Sequence, residues 1–448
     1  MGKYIRILTT PPGPKAKEII KKDEELLMQS YVRWYPFVVA GGEGAVVEDI
    51  DGNRYIDFNS GLAVLNTGHL HPKVIEAVEL QLKRYIHYSL TDFYYELAVE
   101  YAEKLFSALP WRDNKIFYTN SGAESIEAII KVAKGYFEGK RNYFIGFLGA
   151  FHGRTIGSLS FTASKAIQRK FFFPLMPGVI HVPYPYPYRC PFNSKTPEEC
   201  AENVLGYIED WIFKKYVDPG EVAAFLIEPI QGEGGYVVPP KEFMMGLKKL
   251  AEKHGILFAV DEVQSGMGRT GKLLAIEHFG VRPDLAAFAK GIASGFPLGA
   301  LVGRRDVMTL PGGSHANTFG GNPVSLAAAK ATLDLLTNGL MDNAKVLGEY
   351  IMKRFTEYME RYEIIGDVRG LGLMIGVELV RDRKTKEPAS KELNTIINNC
   401  FKRGVLVIGA GASSIRIAPP LVITREQVDE ALEIIEDEIR KANNSLKS

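Results

Sequence analysis

The sequence is poor in the features that mark several classes of protein. It has three cysteines, Cys190, Cys200 and Cys400, which are too few and too scattered for a disulfide framework. No apolar run approaches the length of a transmembrane helix, and the first twenty residues lack an apolar core long enough for a signal peptide. These absences predict a cytoplasmic protein that does not enter a membrane.

A surplus of charge of one sign is also missing. Lysine and arginine number 54 and aspartate and glutamate 53, which gives a formal net charge of +1. This balance argues against a nucleic-acid interface and against attraction to an acidic membrane. None of the eight histidines forms a helical HxxxH pair, and His69 and His71, next to Pro72, have no cysteine or carboxylate pair nearby. We therefore expect no metal site.

Apolar residues, in contrast, are plentiful. They make up 46% of 448 residues, enough for a large domain and a smaller one. From about residue 73 to 330, strand-like apolar runs alternate with helical patterns, which predicts an α/β fold with a mostly parallel sheet covered by helices. The predicted strands are 115–119, 143–148, 179–183, 222–228, 256–261, 285–289 and 298–303.

Beyond residue 361 the pattern changes to a small α+β unit. The sequence predicts a strand at 370–380, a helix at 390–403, strands at 405–408 and 415–418, and a helix at 425–441. We assign residues 1–60 to a segment that contributes to this small domain, 61–330 to the large domain and 331–448 to the C-terminal small domain. The proline- and tyrosine-rich segment 183–197 is predicted to be a surface loop or lid.

Two ionisable residues follow separate apolar runs of the predicted sheet. Asp261 ends the run 256–260, and Lys290 ends the run 285–289. Ligands of parallel sheets bind at the carboxyl ends of the strands, so the acid and the lysine are expected to face one crevice. The pair suits pyridoxal phosphate, because a lysine can hold this cofactor covalently while a carboxylate keeps its pyridine nitrogen protonated. Taken alone, the two residues would more often be solvated strand ends.

The surroundings of this pair favour the cofactor. Residues 261–264 (DEVQ) and 266–271 (GMGRTG) resemble the signature of class III (omega) aminotransferases, including the region around the cofactor lysine, Lys290. The resemblance extends from about Gly42 to Leu421, with the motifs in the family order. It implies a fold type I transferase that depends on pyridoxal phosphate, and a homodimer with shared active sites that can pair further into a tetramer.

The resemblance assigns residues to the phosphate and ring of the cofactor. Ser121, Gly122 and Ala123, between a strand and a helix, are expected to cradle the phosphate through backbone N–H groups. By itself, Ser121 could equally be a helix N-cap. Phe151 is expected to stack on the ring with His152 nearby, although alone it would be taken for core packing.

Further cofactor contacts follow from the same resemblance. Asp261 is expected to pair with the pyridine nitrogen, and Gln264 to donate to the phenolic oxygen. Lys290 holds the cofactor and, once released, moves a proton between substrate carbon and cofactor. Thr318 is expected to contact the phosphate of the neighbouring subunit, with helix capping ahead of Asn322 as the alternative.

Substrate contacts are assigned in the same way. Glu233 is expected to pair with Arg416 when an omega-amine is bound and to release it for the α-carboxylate of glutamate; the alternatives are a structural pair or no contact. Leu62 is expected to shape the pocket wall and Arg154 to line the substrate channel. Asp92 is placed near the neighbouring site, where an acid could hold a second ammonium group, unless Thr91 or Asp92 caps the following helix.

The sequence thus predicts an aminotransferase. In this interpretation it passes the amino group of an omega-amine, of the 4-aminobutyrate or ornithine type, to 2-oxoglutarate. The main alternative is an amino-acid racemase or epimerase of the same family, which needs a second acid–base group opposite Lys290. A binding protein without activity is disfavoured, because Lys290, Asp261 and Gln264 are all intact.

Overall fold

The computed structural model describes residues 2–447. Two compact units are present. The first joins the chain up to Pro72 to the chain from Asp342 onward, and the second is Lys73–Met341. The sequence placed the corresponding divisions after residues 60 and 330.

The chain begins with elements of the first unit. A helix, α1 (Pro14–Leu26), precedes three strands, β1 (Val39–Glu43), β2 (Val46–Asp49) and β3 (Arg54–Asp57). These strands form antiparallel pairs, with Asp51 and Gly52 in the turn between β2 and β3. A single turn, α2 (Ser60–Ala63), follows.

The second unit alternates helices with strands. Its helices are α3 (Pro72–Leu82), α4 (Glu96–Ala108), α5 (Gly122–Tyr136), α6 (Ile156–Phe161), α7 (Pro197–Tyr207), α8 (Lys241–His254) and α9 (Pro323–Leu335). Its strands are β4 (Asn114–Thr119), β5 (Tyr143–Phe147), β6 (Val179–Val182), β7 (Val222–Ile227), β8 (Leu257–Asp261), β9 (Leu285–Phe288) and β10 (Gly299–Arg304).

These strands form one seven-stranded sheet in the order β4-β10-β9-β8-β7-β5-β6. The five strands from β9 to β6 are parallel, whereas β10 runs antiparallel to both β4 and β9. Every residue of β7, β8 and β9 is buried, as expected for strands covered on both faces. The structure confirms the predicted α/β fold with a mostly parallel sheet.

The core of this unit lies between the sheet and α5. Ile126 and Ile129 of the helix are completely buried and pack with Leu226, Ala259 and Leu301 of the strands. Burial of such side chains contributes about 1.5–3 kcal/mol each for the larger ones, which fixes the start of α5 against the sheet.

The rest of the first unit follows residue 341. It contains α10 (Met341–Arg361), β11 (Ile365–Leu371), β12 (Met374–Asp382), β13 (Glu387–Pro388), α11 (Ser390–Lys402), β14 (Val405–Leu406), β15 (Ile408–Ala410), β16 (Ser414–Ile417) and α12 (Arg425–Lys447). A five-stranded sheet runs β11-β12-β16-β15 with β13 on β12, and β14 joins β3 in the N-terminal sheet.

One predicted strand of this unit is wrong. The stretch 370–380 is not a single strand, because the chain turns between Leu371 and Met374 and β11 pairs antiparallel with β12. Gly372, with φ of 54°, supplies the left-handed conformation of the turn. The apolar run continues through the turn, so the pattern alone does not reveal it.

The structure contains one disulfide that the sequence did not predict. Cys190 and Cys200 form a disulfide, and Cys400 is a buried free thiol. The sequence excluded a disulfide framework, but a pair ten residues apart needs only a local loop. The bond joins the proline- and tyrosine-rich segment 183–197 to the first turn of α7.

None of the helices among residues 2–447 is long and apolar enough to cross a membrane. The same residues contain no cluster of three or more His, Cys, Asp or Glu side chains suited to a metal ion.

Candidate active site

The carboxyl edge of the seven-stranded sheet gathers the predicted cofactor residues. β4 ends at Thr119, just before Ser121, and β8 ends at Asp261. Asp261 pairs in register with Ala287 of β9, three residues before Lys290. The antiparallel β10 begins at this same edge, where Gly299 lies opposite Thr119. Asp261 and Lys290 therefore lie at one edge of the sheet, as the strand pattern predicted.

Asp261 is a buried carboxylate backed by a buried histidine. It is 5% exposed, and its Oδ2 lies 2.7 Å from Nδ1 of His152. Its Oδ1 accepts from the backbone N–H of Val263 at 2.9 Å. A carboxylate accepts about four hydrogen bonds, so Asp261 retains capacity for a further N–H donor such as a pyridinium. The arrangement fits the ring nitrogen of pyridoxal phosphate.

The start of α5 offers a site for an anion. Ser121 is the N-cap, and its Oγ accepts from the backbone N–H of Glu124 at 3.3 Å. The first backbone bond of the helix runs from Ser125 N–H to Ser121 O at 3.1 Å. The N–H groups of Gly122 and Ala123 come before this bond and point along the helix axis toward the positive end of its dipole. The capping alternative for Ser121 is thus observed, and it is compatible with a phosphate on the next two N–H groups.

Gln264 has a fixed orientation. Its Oε1 accepts from the hydroxyl of buried Tyr236 at 2.8 Å, so its amide nitrogen is left as a donor. Gly232 passes so close that a Cβ there would lie 2.3 Å from this nitrogen. Any larger residue at position 232 would displace the amide group of Gln264 from this orientation.

Lys290 has a strained backbone. It has φ of 50°, in the left-handed region, and opens the short 3-10 turn Lys290–Ile292. The carbonyl of Phe288 just before it accepts from Ser125 Oγ of α5 at 3.0 Å. Such strain in a residue other than glycine persists only where the surroundings hold it, and it is frequent at functional sites.

The loop after β5 carries Phe151, His152 and Arg154. Phe151 is half-buried, and the guanidinium of exposed Arg154 lies 5.4 Å from the centre of its ring. His152 is held by its backbone N–H, which donates to Thr162 Oγ1 at 2.9 Å. Its Nε2 is buried and has no hydrogen-bond partner among residues 2–447. The structure thus brings Phe151 and His152 to the edge that carries Asp261.

Glu228 is a residue of this edge to which the sequence assigned no role. It follows β7, is 5% exposed, and accepts from the backbone N–H groups of Phe151 at 3.1 Å and Gly232 at 3.0 Å. Burial raises the pKa of its carboxyl to about 7, while His152 acts in the opposite direction. The sequence did contain a signal for Glu228, because this acid comes directly after a fully apolar strand.

Glu262 is a second buried acid at this edge. It accepts from Ser265 Oγ at 2.7 Å and from the backbone N–H groups of Ala275 at 3.0 Å and Ile276 at 2.8 Å. Burial raises the pKa of Glu262 to about 7. Its contacts tie the strand end that carries Asp261 to the far end of the glycine-rich segment.

Glu233 and Asp92 lie in different parts of the second unit. Glu233 is half-buried in the turn after β7, where Gly235 N–H donates to Gly232 O at 3.1 Å. Asp92 is exposed in the segment before α4. Its neighbour Thr91 donates to Asn317 O at 2.7 Å, and α4 begins only at Glu96 without a side-chain cap. Capping of α4 by Thr91 or Asp92 is therefore wrong.

The capping alternative for Thr318 is also wrong. Thr318 is exposed, and the cap of α9 is Asn322, whose Oδ1 accepts from the N–H groups of Val324 at 2.9 Å and Ser325 at 3.3 Å. Thr91 anchors the carbonyl of Asn317 directly before Thr318. A phosphate contact of Thr318 across subunits stays a prediction.

The remaining predicted residues belong to the first unit. Leu62 is 50% exposed in a turn whose four residues, Ser60 to Ala63, all have positive φ. Arg416 is 2% exposed in β16, and its Nη2 donates to Gly409 O at 3.3 Å. A buried guanidinium is suited to a carboxylate ligand. The substrate roles of Leu62 and Arg416 stay predictions.

Comparison with known proteins identifies the family. The model for class-III aminotransferases matches residues 28–439. The alanine/serine racemase of Pyrococcus horikoshii is 42% identical over 98% of this chain and 93% of its own length. The isoleucine 2-epimerase of Lentilactobacillus buchneri is 39% identical over 96% of each chain.

The fold is also similar to that of a solved transaminase structure. The (S)-enantioselective omega-transaminase from Thermomicrobium roseum is 32% identical, with a TM-score of 0.88 over 97% of this chain and 99% of that chain. The predicted family and cofactor are confirmed. The chain belongs to the class-III aminotransferase family, whose members depend on pyridoxal phosphate.

Proposed function

We propose that this enzyme racemises or epimerises free amino acids. The observation that supports it is the similarity of nearly the whole chain to a racemase, at 42% identity, and to an epimerase, at 39%. A second candidate is the predicted transfer of an amino group from an omega-amine to 2-oxoglutarate. That candidate is favoured by Glu233 and Arg416, which match the paired glutamate and arginine of omega-aminotransferases.

Both reactions use the same binding residues. The N–H groups of Gly122 and Ala123, with Ser121, would hold the phosphate of pyridoxal phosphate, and Phe151 would pack against its ring. Asp261 would accept the pyridine N–H, and His152 Nδ1 fixes the carboxylate of Asp261 at 2.7 Å. When bound, the cofactor withdraws electrons from the amino-bearing carbon and makes its proton acidic.

Lys290 moves that proton. Its amine would hold the cofactor until substrate arrives and would then be free to take the proton from the amino-bearing carbon. Amino transfer would need Lys290 to deliver that proton elsewhere than to the same carbon, and water to release the carbonyl product. Racemisation requires a proton to reach the opposite face of the same carbon, so a second acid–base group is needed.

We assign Glu233 as this second group. The loop after β7 carries two carboxylates at the edge where Lys290 lies. Glu228 is buried, whereas Glu233 is half-buried on a glycine turn. We choose Glu233 because it is the more exposed of the two carboxylates and is therefore the easier one for a ligand to reach.

Reaction of single L-amino acids in D₂O tests the proposal. We expect the D-isomer, labelled at the α-carbon, to form without any 2-oxo acid. Glu233→Gln should lower the rate of interconversion of the isomers by at least about a hundredfold. One isomer should still exchange its α-proton through Lys290. The Lys290→Ala variant is the control and should exchange neither isomer.

The same assay evaluates the second candidate. Amino transfer replaces racemisation as the function if the enzyme consumes 2-oxoglutarate in the presence of 4-aminobutyrate or ornithine and forms no D-isomer from L-amino acids. In that case Glu233→Gln should slow the reaction of the omega-amine more than that of glutamate.

A further inference from the structure

A buried carboxylate joins two loops of the site. The loop after β5 carries Phe151, and the loop after β7 carries Gly232 and Glu233. Glu228 accepts one backbone N–H from each, from Phe151 at 3.1 Å through Oε2 and from Gly232 at 3.0 Å through Oε1. Each oxygen therefore serves a different loop.

The backbone of Glu228 is itself held in place. The buried hydroxyl of Tyr184 lies 3.1 Å from Glu228 O and 3.4 Å from Pro229 O. Glu228 follows directly on β7, whose residues are all buried. The carboxylate is thus mounted on the rigid sheet, and the two loops are positioned relative to it.

A second link between the same loops is neutral. Gln231 Nε2 donates to Leu148 O at 2.9 Å. Gln231 thus provides a comparison in the same place: a variant that removes it breaks a tie between the loops without changing any charge.

We propose that Glu228 is a positioning residue whose ionised carboxylate sets Phe151 and Glu233 together, so that protonation of Glu228 loosens the two loops. The inference rests on the proposed function only for what Phe151 and Glu233 do there. Protonation turns one oxygen into a hydroxyl, which is a much weaker acceptor than a carboxylate oxygen, so the hydrogen bond from one of the two N–H groups is weakened.

The surroundings place this change in an accessible pH range. Burial raises the pKa of Glu228 to about 7. The groups that face it are His152, whose charge favours the ionised carboxylate, Asp261, whose charge opposes it, and Tyr184. The two-loop arrangement should therefore be complete above about pH 7 and be lost progressively below it.

Hydrogen–deuterium exchange of the holoenzyme at pH 6 and pH 8.5, corrected for intrinsic rates, tests this. In the wild type, amides of residues 149–155 and 230–236 should exchange about tenfold faster at pH 6 than at pH 8.5. Glu228→Gln, which resembles the protonated acid, should exchange at the faster rate at both pH values. Gln231→Ala should exchange faster too, with the wild-type dependence on pH retained.

A matched control comes from Glu277, a half-buried acid that accepts from Leu274 N–H at 2.8 Å in the same unit. Glu277→Gln should leave exchange in both loops unchanged. The proposal is overturned if Glu228→Gln behaves as wild type, or if it raises exchange evenly across the sheet. Because exchange is read without substrate, failure of the racemase assignment would leave this result intact.

The visible circular dichroism of the bound cofactor gives an independent reading. Its amplitude depends on how Phe151 holds the ring, so it should fall between pH 8.5 and pH 6 in the wild type and stay low in Glu228→Gln. A pH-independent amplitude in the wild type would contradict the proposal.

Discussion

At the scale of single residues, we predict that catalysis depends on the charge of Asp261. Its buried carboxylate, held by His152 at 2.7 Å, must stay negative to keep a pyridine nitrogen protonated. We expect Asp261→Asn to retain the cofactor but to lower kcat by a factor of about 10²–10³. The measurements are cofactor content by absorbance and kcat on the same preparation.

Asp284 provides the matched control for this change. It is also a buried carboxylate, but it precedes β9 at the opposite edge of the sheet, where it accepts from Phe258 N–H at 2.8 Å and pairs with Arg304 at 2.8 Å. Asp284→Asn should lower stability and leave kcat per folded molecule near that of the wild type. Equal kcat in Asp261→Asn and wild type would exclude the pyridinium role.

Glu262 leads to a prediction about pH and stability. Its pKa is raised from 4.5 to about 7 by burial, so between these values the folded protein holds a proton that the unfolded chain has released. Stability from this group is therefore complete below about pH 4.5, falls as pH rises, and levels off above about pH 7. Between about pH 4.5 and pH 7, the free energy of unfolding should fall by on the order of 3 kcal/mol.

Melting temperatures of wild type and Glu262→Gln at pH 5, 6, 7 and 8 measure this effect. The Tm of the wild type should fall relative to that of Glu262→Gln from pH 5 to about pH 7 and then keep a constant offset, because glutamine resembles the protonated acid and the variant lacks the titrating group. A difference that does not change with pH would show that Glu262 ionises normally in the folded protein.

At the scale of elements, the strands of the sheet were predictable and their directions were not. All seven apolar runs became strands, because burial on both faces leaves a nearly continuous apolar pattern. An apolar pattern does not indicate in which direction a strand runs, so the sequence did not predict that β10 is antiparallel. For the same reason the turn at Gly372 was hidden inside one apolar run.

The candidate site was also only partly predictable from the sequence. The position of Asp261 and Lys290 at one edge was predictable, because the carboxyl ends of parallel strands meet there. Their expected cofactor role came from the resemblance of residues 261–264 and 266–271 to the family signature. Glu228 occupies an equivalent position after β7, but its role depends on N–H groups of Phe151 and Gly232. Those partners lie on two different loops, and only the folded chain brings them within hydrogen-bond distance.

The Cys190–Cys200 disulfide is an element-scale feature with a stability consequence. It closes a ten-residue loop onto the first turn of α7, and restricting the unfolded chain in this way contributes about 2–3 kcal/mol. We expect a dithiol reductant to lower Tm by a few degrees. The double variant Cys190→Ser/Cys200→Ser should have the lower Tm already and should not respond to the reductant.

Cys400 serves as the control for this effect. It is buried and unpaired, so Cys400→Ala should keep the full response of Tm to the reductant. An identical Tm for the wild type with and without reductant, with reduction verified by mass, would show that the loop is held by other contacts. Thr196 supplies one such contact, because it caps α7 by accepting from Glu199 N–H at 3.2 Å.

At the scale of the whole molecule, we predict a homodimer in which each active site takes Thr318 from the other subunit. Thr318 is exposed on a segment whose carbonyl at Asn317 is anchored by Thr91, and it caps no helix. An exposed threonine that does not cap the following helix is accessible to a neighbouring subunit.

Mixed dimers of Lys290→Ala and Thr318→Ala measure whether the sites are shared. Each variant alone has two identical defective sites. If Thr318 acts across the interface, a mixed dimer collects both defects in one site and leaves the other with an intact Lys290 and an intact Thr318. Random reassociation should then restore about a quarter of all sites to wild-type kcat. If Thr318 acts within its own subunit, each site of a mixed dimer keeps one defect, and mixing should give only the average of the two parent activities.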